Sequence, residues 1–199
     1  MVTTIGVVAL QGAVGEHVRM LAGLGAVVRE IRTPSALDGL DGLVLPGGES
    51  TAMARAGATT GLFEEVRARR ESGLPLFGTC AGLVLLADRV QGGQALGDHA
   101  TVGGLDLTAR RNAFGGQRAS STAPLQVSAF PCRAFPGIFI RAPQVVQVGA
   151  AVDVLARSGT DGDPVAVRQG QLLATSFHPE LSGDDRFHRL FLQICGAAS

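Results

Sequence analysis

Hydrophobic positions in the first ninety residues follow two different periods. Short, continuous apolar runs predict strands that are buried on both faces, and they lie at residues 4–10, 26–31, 42–45 and 74–78. Between these runs, apolar residues recur at helical spacing, in residues 11–25, 50–57, 62–73 and 81–90. Strands that alternate with helices in this way indicate a parallel sheet covered by helices on both sides.

The pattern changes after about Gly92. Short strand-like runs follow one another, separated by Gly, Pro and Asp turns, and a helical pattern returns only at residues 184–195. The Gly- and Ser-rich segment 114–124 is interpreted as a long loop rather than a domain boundary. We therefore expect one domain over residues 1–199, with an α/β fold: a mostly parallel central sheet flanked by helices, with a short antiparallel extension.

Composition excludes several classes of protein. Seventeen basic residues balance seventeen acidic ones, which argues against a nucleic-acid partner. The apolar runs are shorter than the roughly 18 residues that span a bilayer, so no membrane segment is expected. The N-terminal residues lack the pattern of a signal peptide, and the three cysteines are too far apart for a metal pair or a disulfide framework. We expect a cytoplasmic protein without a metal.

One turn carries the first candidate for chemistry. Gly78-Thr79-Cys80-Ala81-Gly82 joins a predicted strand to a predicted helix, at the end of a parallel strand where ligands bind. The G-x-C-x-G pattern matches a nucleophile elbow, in which glycines leave room for a sharp turn that displays the central side chain. The N–H groups of the following helix favour a thiolate and can stabilise an oxyanion. The alternative is a small buried cysteine with no reactivity, but the paired glycines favour a nucleophile.

A cysteine nucleophile needs a base, and His178 is the best of the four histidines. It follows an apolar strand, as Cys80 does, and Pro179 favours an extended backbone before it. In an extended segment, His178 and Glu180 share a side, so the carboxylate can orient the imidazole. The alternative is a solvated His-Pro-Glu turn. His17 and His188 are predicted to be surface or partly buried helix residues, and His99 is assigned no role.

Six segments together resemble one known family. They are GVVALQGAVGEH, LPGGEST, PLFGTCAGL, RNAFG, GIFIRAP and QGQLLATSFHPE, and they lie between Gly6 and Glu180. The elbow and SFHPE resemble the triad-type, class I glutamine amidotransferases, which have a flavodoxin-like fold. The other segments narrow the resemblance to the glutaminase subunits of pyridoxal 5′-phosphate synthase.

The resemblance implies a glutamine amidohydrolase. Such a subunit hydrolyses L-glutamine to L-glutamate and ammonia, and a separate synthase subunit uses the ammonia to make pyridoxal 5′-phosphate, which is vitamin B6. The glutaminase holds no cofactor and no metal, and family assemblies combine twelve synthase subunits with bound glutaminases, twelve in a full complex. Its first helix, with LQGAVGEH, is expected to face the synthase.

The resemblance also assigns site residues. Cys80 is the nucleophile, His178 is the general base and then acid, and Glu180 orients His178. The N–H groups of Gly48 and Ala81 form the oxyanion hole. The residues that contact glutamine are Gly48, Glu49, Ser50, Arg111, Ile140 and Arg141.

Three other interpretations stay open at this point. One is a cysteine hydrolase of the same broad fold that acts on another amide or on peptides, and another is a non-catalytic regulatory subunit. A nucleotide-binding module is disfavoured because neither G-x-G-x-x-G nor a Walker sequence is present. The chain also departs from the family after RNAFG, where Gly116-Gln117-Arg118 replaces the usual Arg-Gln pair. That departure affects the expected local loop geometry and not the triad.

Overall fold

The computed structural model describes residues 2–96, 101–111, 120–159 and 162–198. Its helices are α1 (Val14–Gly23), α2 (Ser50–Thr59), α3 (Leu62–Glu71), α4 (Ala81–Leu86) and α5 (Arg186–Ala197). Its strands are β1 (Thr4–Val8), β2 (Val27–Ile31), β3 (Gly42–Leu45), β4 (Leu76–Thr79), β5 (Ala87–Gln91), β6 (Leu105–Arg110), β7 (Ser120–Leu125), β8 (Phe135–Ile140), β9 (Gln144–Val148), β10 (Asp153–Arg157), β11 (Pro164–Gln169) and β12 (Leu172–Thr175). None of the helices in these ranges combines the length and hydropathy that a membrane crossing requires.

A seven-stranded sheet organises the molecule, in the order β10-β11-β12-β4-β3-β1-β2. The five strands from β12 to β2 are parallel, and β11 and β10 extend the sheet antiparallel. Smaller sheets are formed by β5-β6-β9 and by β7-β8. The predicted α/β fold, with its parallel centre and antiparallel extension, is confirmed.

The core has two parts, one on each face of the central sheet. Leu76 of β4 belongs to one cluster and its neighbour Phe77 to the other, because successive side chains of a strand point to opposite faces. Helices α2, α3 and α4 cover the first face, and α1 and α5 cover the second. Every residue of the inner strands β3, β4 and β12 is buried, which explains why these strands are almost entirely apolar.

The register of β4 and β12 places the ends of two strands side by side. These strands pair in parallel, with Thr79 opposite Thr175. The residues that follow them, Cys80 on one strand and Ser176 on the other, therefore begin at the same edge of the sheet. This register brings together segments that are almost a hundred residues apart in the chain.

Two local predictions are wrong. The helix predicted over residues 81–90 ends at Leu86, and the chain continues as β5, which pairs with β6. Arg89 of β5 binds Asp106 of β6 at 2.7 Å, a tertiary pairing that the local pattern could not reveal. The predicted loop 114–124 includes strand residues from Ser120 onward, because they pair antiparallel with β8. Residues 112–119, with the Gly116-Gln117-Arg118 departure, lie outside the described residues, as does His99.

Candidate active site

Cys80 lies at the tip of the turn between β4 and α4. Its backbone has φ 49° and ψ −101°, a conformation that is strained for any residue with a Cβ. Its N–H donates to the Thr175 carbonyl at 2.8 Å, and its side chain is only slightly exposed. The strained turn directs the sulfur toward a pocket rather than into the core.

The two glycines of the elbow are required by close packing. A Cβ at Gly82 would lie 2.0 Å from the Leu45 carbonyl oxygen of β3, and a Cβ at Gly78 would lie 2.6 Å from the backbone of Gly82. Neither distance is possible for a real side chain. The glycines therefore let α4 start directly against β3 and β4, which fixes the position of Cys80.

His178 and Glu180 lie just beyond β12. The His178 Nδ1 atom is 2.7 Å from Glu180 Oε1, and both side chains are largely buried. The predicted extended geometry is wrong in detail, because Pro179–Leu181 forms a single 3₁₀ turn with His178 at its start. The turn brings the carboxylate back to the ring, while the His178 N–H donates to the Ile138 carbonyl of β8 at 2.8 Å.

Cys80 and Glu180 both act on the His178 ring. Glu180 Oε1 forms a hydrogen bond with the Nδ1 atom of the ring, and a hydrogen bond also joins the ring to Cys80. Burial alone lowers the pKa of His178, but the hydrogen bonds and negative charges of Cys80 and Glu180 outweigh it and raise that pKa to about 10. An imidazolium is therefore favoured at neutral pH.

Glu180 has a second side, which faces the interior. Its Oε2 atom lies 3.5 Å from His17 Nε2. His17 in turn contacts Thr79 Oγ1 at 3.1 Å and His188 Nε2 at 2.9 Å. Both histidines are completely buried, so the prediction of surface or partly buried positions is wrong.

The helical pattern held the signal for this burial. His17 lies three residues after Val14 and four before Leu21, so it belongs to the face of α1 that packs on the sheet. His188 sits between Phe187 and Phe191 on α5. Burial, together with His188 and His178, lowers the pKa of His17 well below its ordinary value. Burial lowers the pKa of His188 to about 4, although Asp185 opposes this.

A pocket of about 290 Å³ opens beside Cys80 and His178. The site residues that the sequence predicted along its wall are Gly48, Glu49, Ser50, Cys80, Ala81, Arg111, Ile140, Arg141 and His178. Glu180 lies behind His178 rather than on the wall. The structure thus brings the predicted residues together from five separate segments of the chain.

The wall also includes Gln11, which the sequence reasoning missed. Its side-chain oxygen accepts the Glu49 N–H at 2.5 Å. Gln11 follows β1 at the same sheet edge as Cys80, so the rule for the carboxyl ends of parallel strands could have found it. Gly12 and Ala13 continue the wall, and the Ala13 N–H donates to the Gly47 carbonyl at 3.0 Å.

Glu49 and Arg111 form an ordered pair at the mouth. The Glu49 carboxylate accepts the N–H groups of Thr51 and Ala52 at 2.9 and 2.7 Å, and so caps α2. Arg111 donates to Glu49 at 3.2 Å and to the Thr51 hydroxyl at 2.8 Å. Slight burial raises the pKa of the Glu49 carboxyl, but these hydrogen bonds and the Arg111 charge outweigh that effect and lower the pKa below its ordinary value. Arg111 therefore binds the Glu49 carboxylate directly.

Ile140 and Arg141 close the pocket from the end of β8. The Ile140 carbonyl oxygen is 3.9 Å from Cys80 Sγ. Arg141 has φ 44°, which is unusual for a residue other than glycine. This turn places the backbone of β8 directly over the thiol.

Similarity to known proteins covers nearly the whole chain. The sequence is 53% identical over 190 residues to pyridoxal 5′-phosphate synthase subunit PdxT of Clavibacter sepedonicus, covering 96% of this chain and 90% of that one. It is 50% identical over 196 residues to the protein of the same name from Streptomyces coelicolor, covering 97% and 94%.

Solved structures give the same picture. A crystal structure described as a glutamine amidotransferase superimposes with a TM-score of 0.89 at 45% identity, covering 96% of this chain and 98% of that one. The structure of PurLQS from Thermotoga maritima superimposes with a TM-score of 0.71 at 18% identity, covering 100% of both chains. At this low identity, the similarity supports only the shared fold. The model of the SNO glutamine amidotransferase family matches residues 7–197. The chain belongs to the SNO glutamine amidotransferase family.

Proposed function

We propose that this chain is the glutaminase subunit of a pyridoxal 5′-phosphate synthase. It hydrolyses L-glutamine to L-glutamate and ammonia, and it delivers the ammonia to the synthase catalytic subunit for vitamin B6 biosynthesis. The observation that carries the proposal is the contact of His178 with both Cys80 and Glu180, with Cys80 and His178 on the wall of one pocket and Glu180 behind His178. Family membership and PdxT relatives of about half-identical sequence support it.

The first half of the reaction makes a thioester. The Cys80 thiolate attacks the side-chain amide carbon of glutamine, and the carbonyl oxygen becomes an oxyanion. The N–H groups of Gly48 and Ala81 are the proposed donors, and one such donor is worth roughly 3 kcal/mol, or about 10²–10³ in rate. The tetrahedral intermediate then breaks its C–N bond while His178 gives its proton to the departing ammonia. The raised pKa of His178 suits this step, since the ring starts as the imidazolium.

The second half releases glutamate. Neutral His178 removes a proton from water as the water attacks the thioester carbon, and the C–S bond breaks to return the thiolate. Glu180 keeps the ring oriented and stabilises its positive charge in both halves.

The remaining pocket residues are proposed to hold the substrate. Gly48, Glu49, Ser50, Arg111, Ile140 and Arg141 surround the space in front of the thiol. The Glu49 carboxylate can receive the substrate ammonium, and Arg141 can pair with the substrate carboxylate. Arg111 already binds Glu49, so we assign it the role of fixing Glu49 for that contact.

The partner is proposed to complete the site. The Ala13 N–H donates to the Gly47 carbonyl, which belongs to the same peptide group as the Gly48 N–H, a proposed oxyanion donor. Rotation of this peptide group would reorient the Gly48 N–H, and it requires movement of the loop before α1. We expect the synthase to contact that loop and α1, which would link complex formation to the oxyanion hole. A twelve-plus-twelve complex and a cytoplasmic location, where cysteines stay reduced, belong to the same proposal.

The central test uses the reconstituted complex. Cys80→Ala should abolish glutamate release and also glutamine-dependent formation of pyridoxal 5′-phosphate, while added ammonium salt should still support the synthase. Cys132→Ala is the matched control, because Cys132 is exposed and outside the pocket. Glutamate release by the Cys80→Ala complex at the wild-type rate would overturn the proposal.

A further inference from the structure

We propose that His17 is a positioning residue for this reaction: it donates its Nε2–H toward the inner oxygen of Glu180, and His188 fixes the ring nitrogen that carries the hydrogen. The inference rests on the proposed function, because Glu180 matters to it as the partner of His178. It adds a buried layer to the site that the sequence did not reveal.

The inner oxygen of Glu180 needs a donor. The Glu180 side chain is fully buried, and Oε1 already binds His178. Oε2 is also buried and has no partner at ordinary hydrogen-bond distance among the described residues. The nearest donor-capable atom that the structure gives it is His17 Nε2 at 3.5 Å. A buried carboxylate oxygen facing a lone pair would be strongly unfavourable, so the identity of the protonated nitrogen on His17 matters.

Counting hydrogens selects one arrangement. A neutral imidazole carries a single N–H, and burial keeps both His17 and His188 neutral by lowering their pKa values. If His17 were protonated on Nδ1, it would donate to His188 Nε2, and the His188 hydrogen would sit on Nδ1. That Nδ1 is buried with no partner, so the arrangement would orphan an N–H and also point a lone pair at Glu180.

The opposite arrangement avoids both costs. His188 donates its Nε2–H to His17 Nδ1 at 2.9 Å. His17 then directs its Nε2–H between Thr79 Oγ1 at 3.1 Å and Glu180 Oε2 at 3.5 Å. What remains is one unpartnered lone pair on His188 Nδ1, which costs less than an orphaned donor. The hydrogen bonds therefore run in one direction, from α5 through α1 to Glu180.

Packing holds this chain of side chains in place. His17 and His188 have ring centroids 5.1 Å apart, and Phe77 of β4 lies edge-on to both rings, at 6.2 and 5.6 Å. The three residues come from α1, α5 and the sheet, so none can turn without disturbing another element. The charged groups that face the pair are Glu180, His178 and Asp185. The His17–His188 pair thereby fixes Glu180 from the interior side, while His178 contacts Glu180 on the pocket side.

The first experiment compares two substitutions of His17 in the reconstituted glutaminase–synthase complex. His17→Leu removes the donor, and His17→Gln keeps an N–H near the position of Nε2. We expect His17→Leu to lower kcat for glutamine hydrolysis about 10- to 100-fold, by analogy with the loss seen when the outer hydrogen-bond partner of a metal-binding residue is removed. KM should change less than about twofold, since His17 does not touch the pocket, and His17→Gln should recover most of kcat.

Leu21→Ala is the matched control, because Leu21 is another fully buried residue of α1 and its side chain has no hydrogen to donate to Glu180. If His17→Leu keeps the wild-type kcat, or if Leu21→Ala lowers kcat equally at equal loss of thermal stability, the inference is overturned. A wild-type complex that releases no glutamate would instead overturn the proposed function.

The second experiment needs no variant to fold. Nitrogen-15 NMR of the wild-type histidine rings distinguishes the two neutral forms of imidazole. We expect His17 and His188 each to carry the hydrogen on Nε2 at pH 7. A hydrogen on Nδ1 of His17 would overturn the inference whatever the activity of the complex.

Discussion

Glu180 separates two groups of histidine with opposite properties. On the pocket side, His178 has its pKa raised to about 10 beside Cys80 and Glu180. On the interior side, burial lowers the pKa of His188 to about 4 and that of His17 well below its ordinary value. All three residues are histidines, so the balance between nearby negative partners, which favour the charged ring, and the loss of solvent, which disfavours it, decides the charge of each ring.

The two sides also differ in strain and packing. The pocket side has an unfavourable backbone at Cys80 and a partly open wall. The interior side has fully buried rings packed against Phe77. We therefore expect changes on the pocket side to affect turnover, and changes on the interior side to affect stability as well.

Glu180→Gln removes the group that both sides share, and we expect the largest effect. The glutamine amide carries no negative charge to stabilise the His178 imidazolium. Its N–H₂ group can also face the ring N–H of His178, which would place two hydrogen-bond donors against each other. Glutamine hydrolysis by the complex should fall by about 10²–10⁴ in kcat, as for other triads with a neutralised third member. Glu71→Gln on α3, an exposed carboxylate away from the pocket, serves as the control. A rate within twofold of wild type would mean that Glu180 is only structural.

Gly47→Ala disturbs the pocket side alone. A Cβ there would lie 2.4 Å from the His178 ring and 3.3 Å from Cys80, so the ring must move away from the thiol. A displacement of about 1 Å commonly costs about 10²-fold in rate, and we expect a loss of that order in kcat. Gly196→Ala on α5 has open space for its Cβ and should leave kcat unchanged. Equal kinetics of the two variants would contradict the geometry of the elbow.

On the interior side, burial of His188 should make the folded protein less stable at acidic pH. A base whose pKa is lowered on folding binds fewer protons in the native state, so its contribution to stability falls as the pH drops from about 6.5 toward 4. Because the pKa of His188 is lowered to about 4 in the folded protein, we expect this residue to lower the free energy of unfolding by about 2 kcal/mol when the pH falls from 7 to 5.

The measurement is urea unfolding of wild type and His188→Met at the two pH values. Subtracting one protein from the other cancels the opposite contribution of His178, whose raised pKa makes it stabilising below about 6.5 and less so as the pH rises toward 10. The free energy of unfolding of wild type should fall by about 2 kcal/mol more than that of His188→Met. Parallel losses would show that His188 is not buried as a neutral ring.

Cys80→Gly should give the smallest effect, and of opposite sign. Glycine adopts φ 49° without the Cβ clash, so the strain held at the elbow is released. We expect Cys80→Gly to be more stable than Cys80→Ala by about 1 kcal/mol, although neither hydrolyses glutamine. Chemical denaturation of both variants checks this, and equal stability would mean that the turn holds little strain.

The sequence predicted the parallel sheet well because its strands are buried on both faces and interrupted by helical periods. It could not predict β5, since residues 87–91 continue an apolar helical pattern and become a strand only through pairing with β6. The family and the fold inferred from the motifs are confirmed by the comparisons.

At the site, short motifs located the residues but not all of their surroundings. G-T-C-A-G and H-P-E pointed to side chains that the structure brings into contact, and their catalytic roles stay a prediction. His17 ends the segment GVVALQGAVGEH, but that segment indicated the family and not a role for its histidine. The partners of His17, Thr79 and His188, are 62 and 171 residues away in sequence.

The pairing of β4 with β12 also decides when the site can exist. Cys80 precedes β12, His178 and Glu180 by more than ninety residues, so it is synthesised well before them. A nascent chain that has not yet formed β12 has the thiol without the proposed base and its carboxylate partner. Under the proposed function, glutamine hydrolysis must therefore wait until β12 has paired with β4.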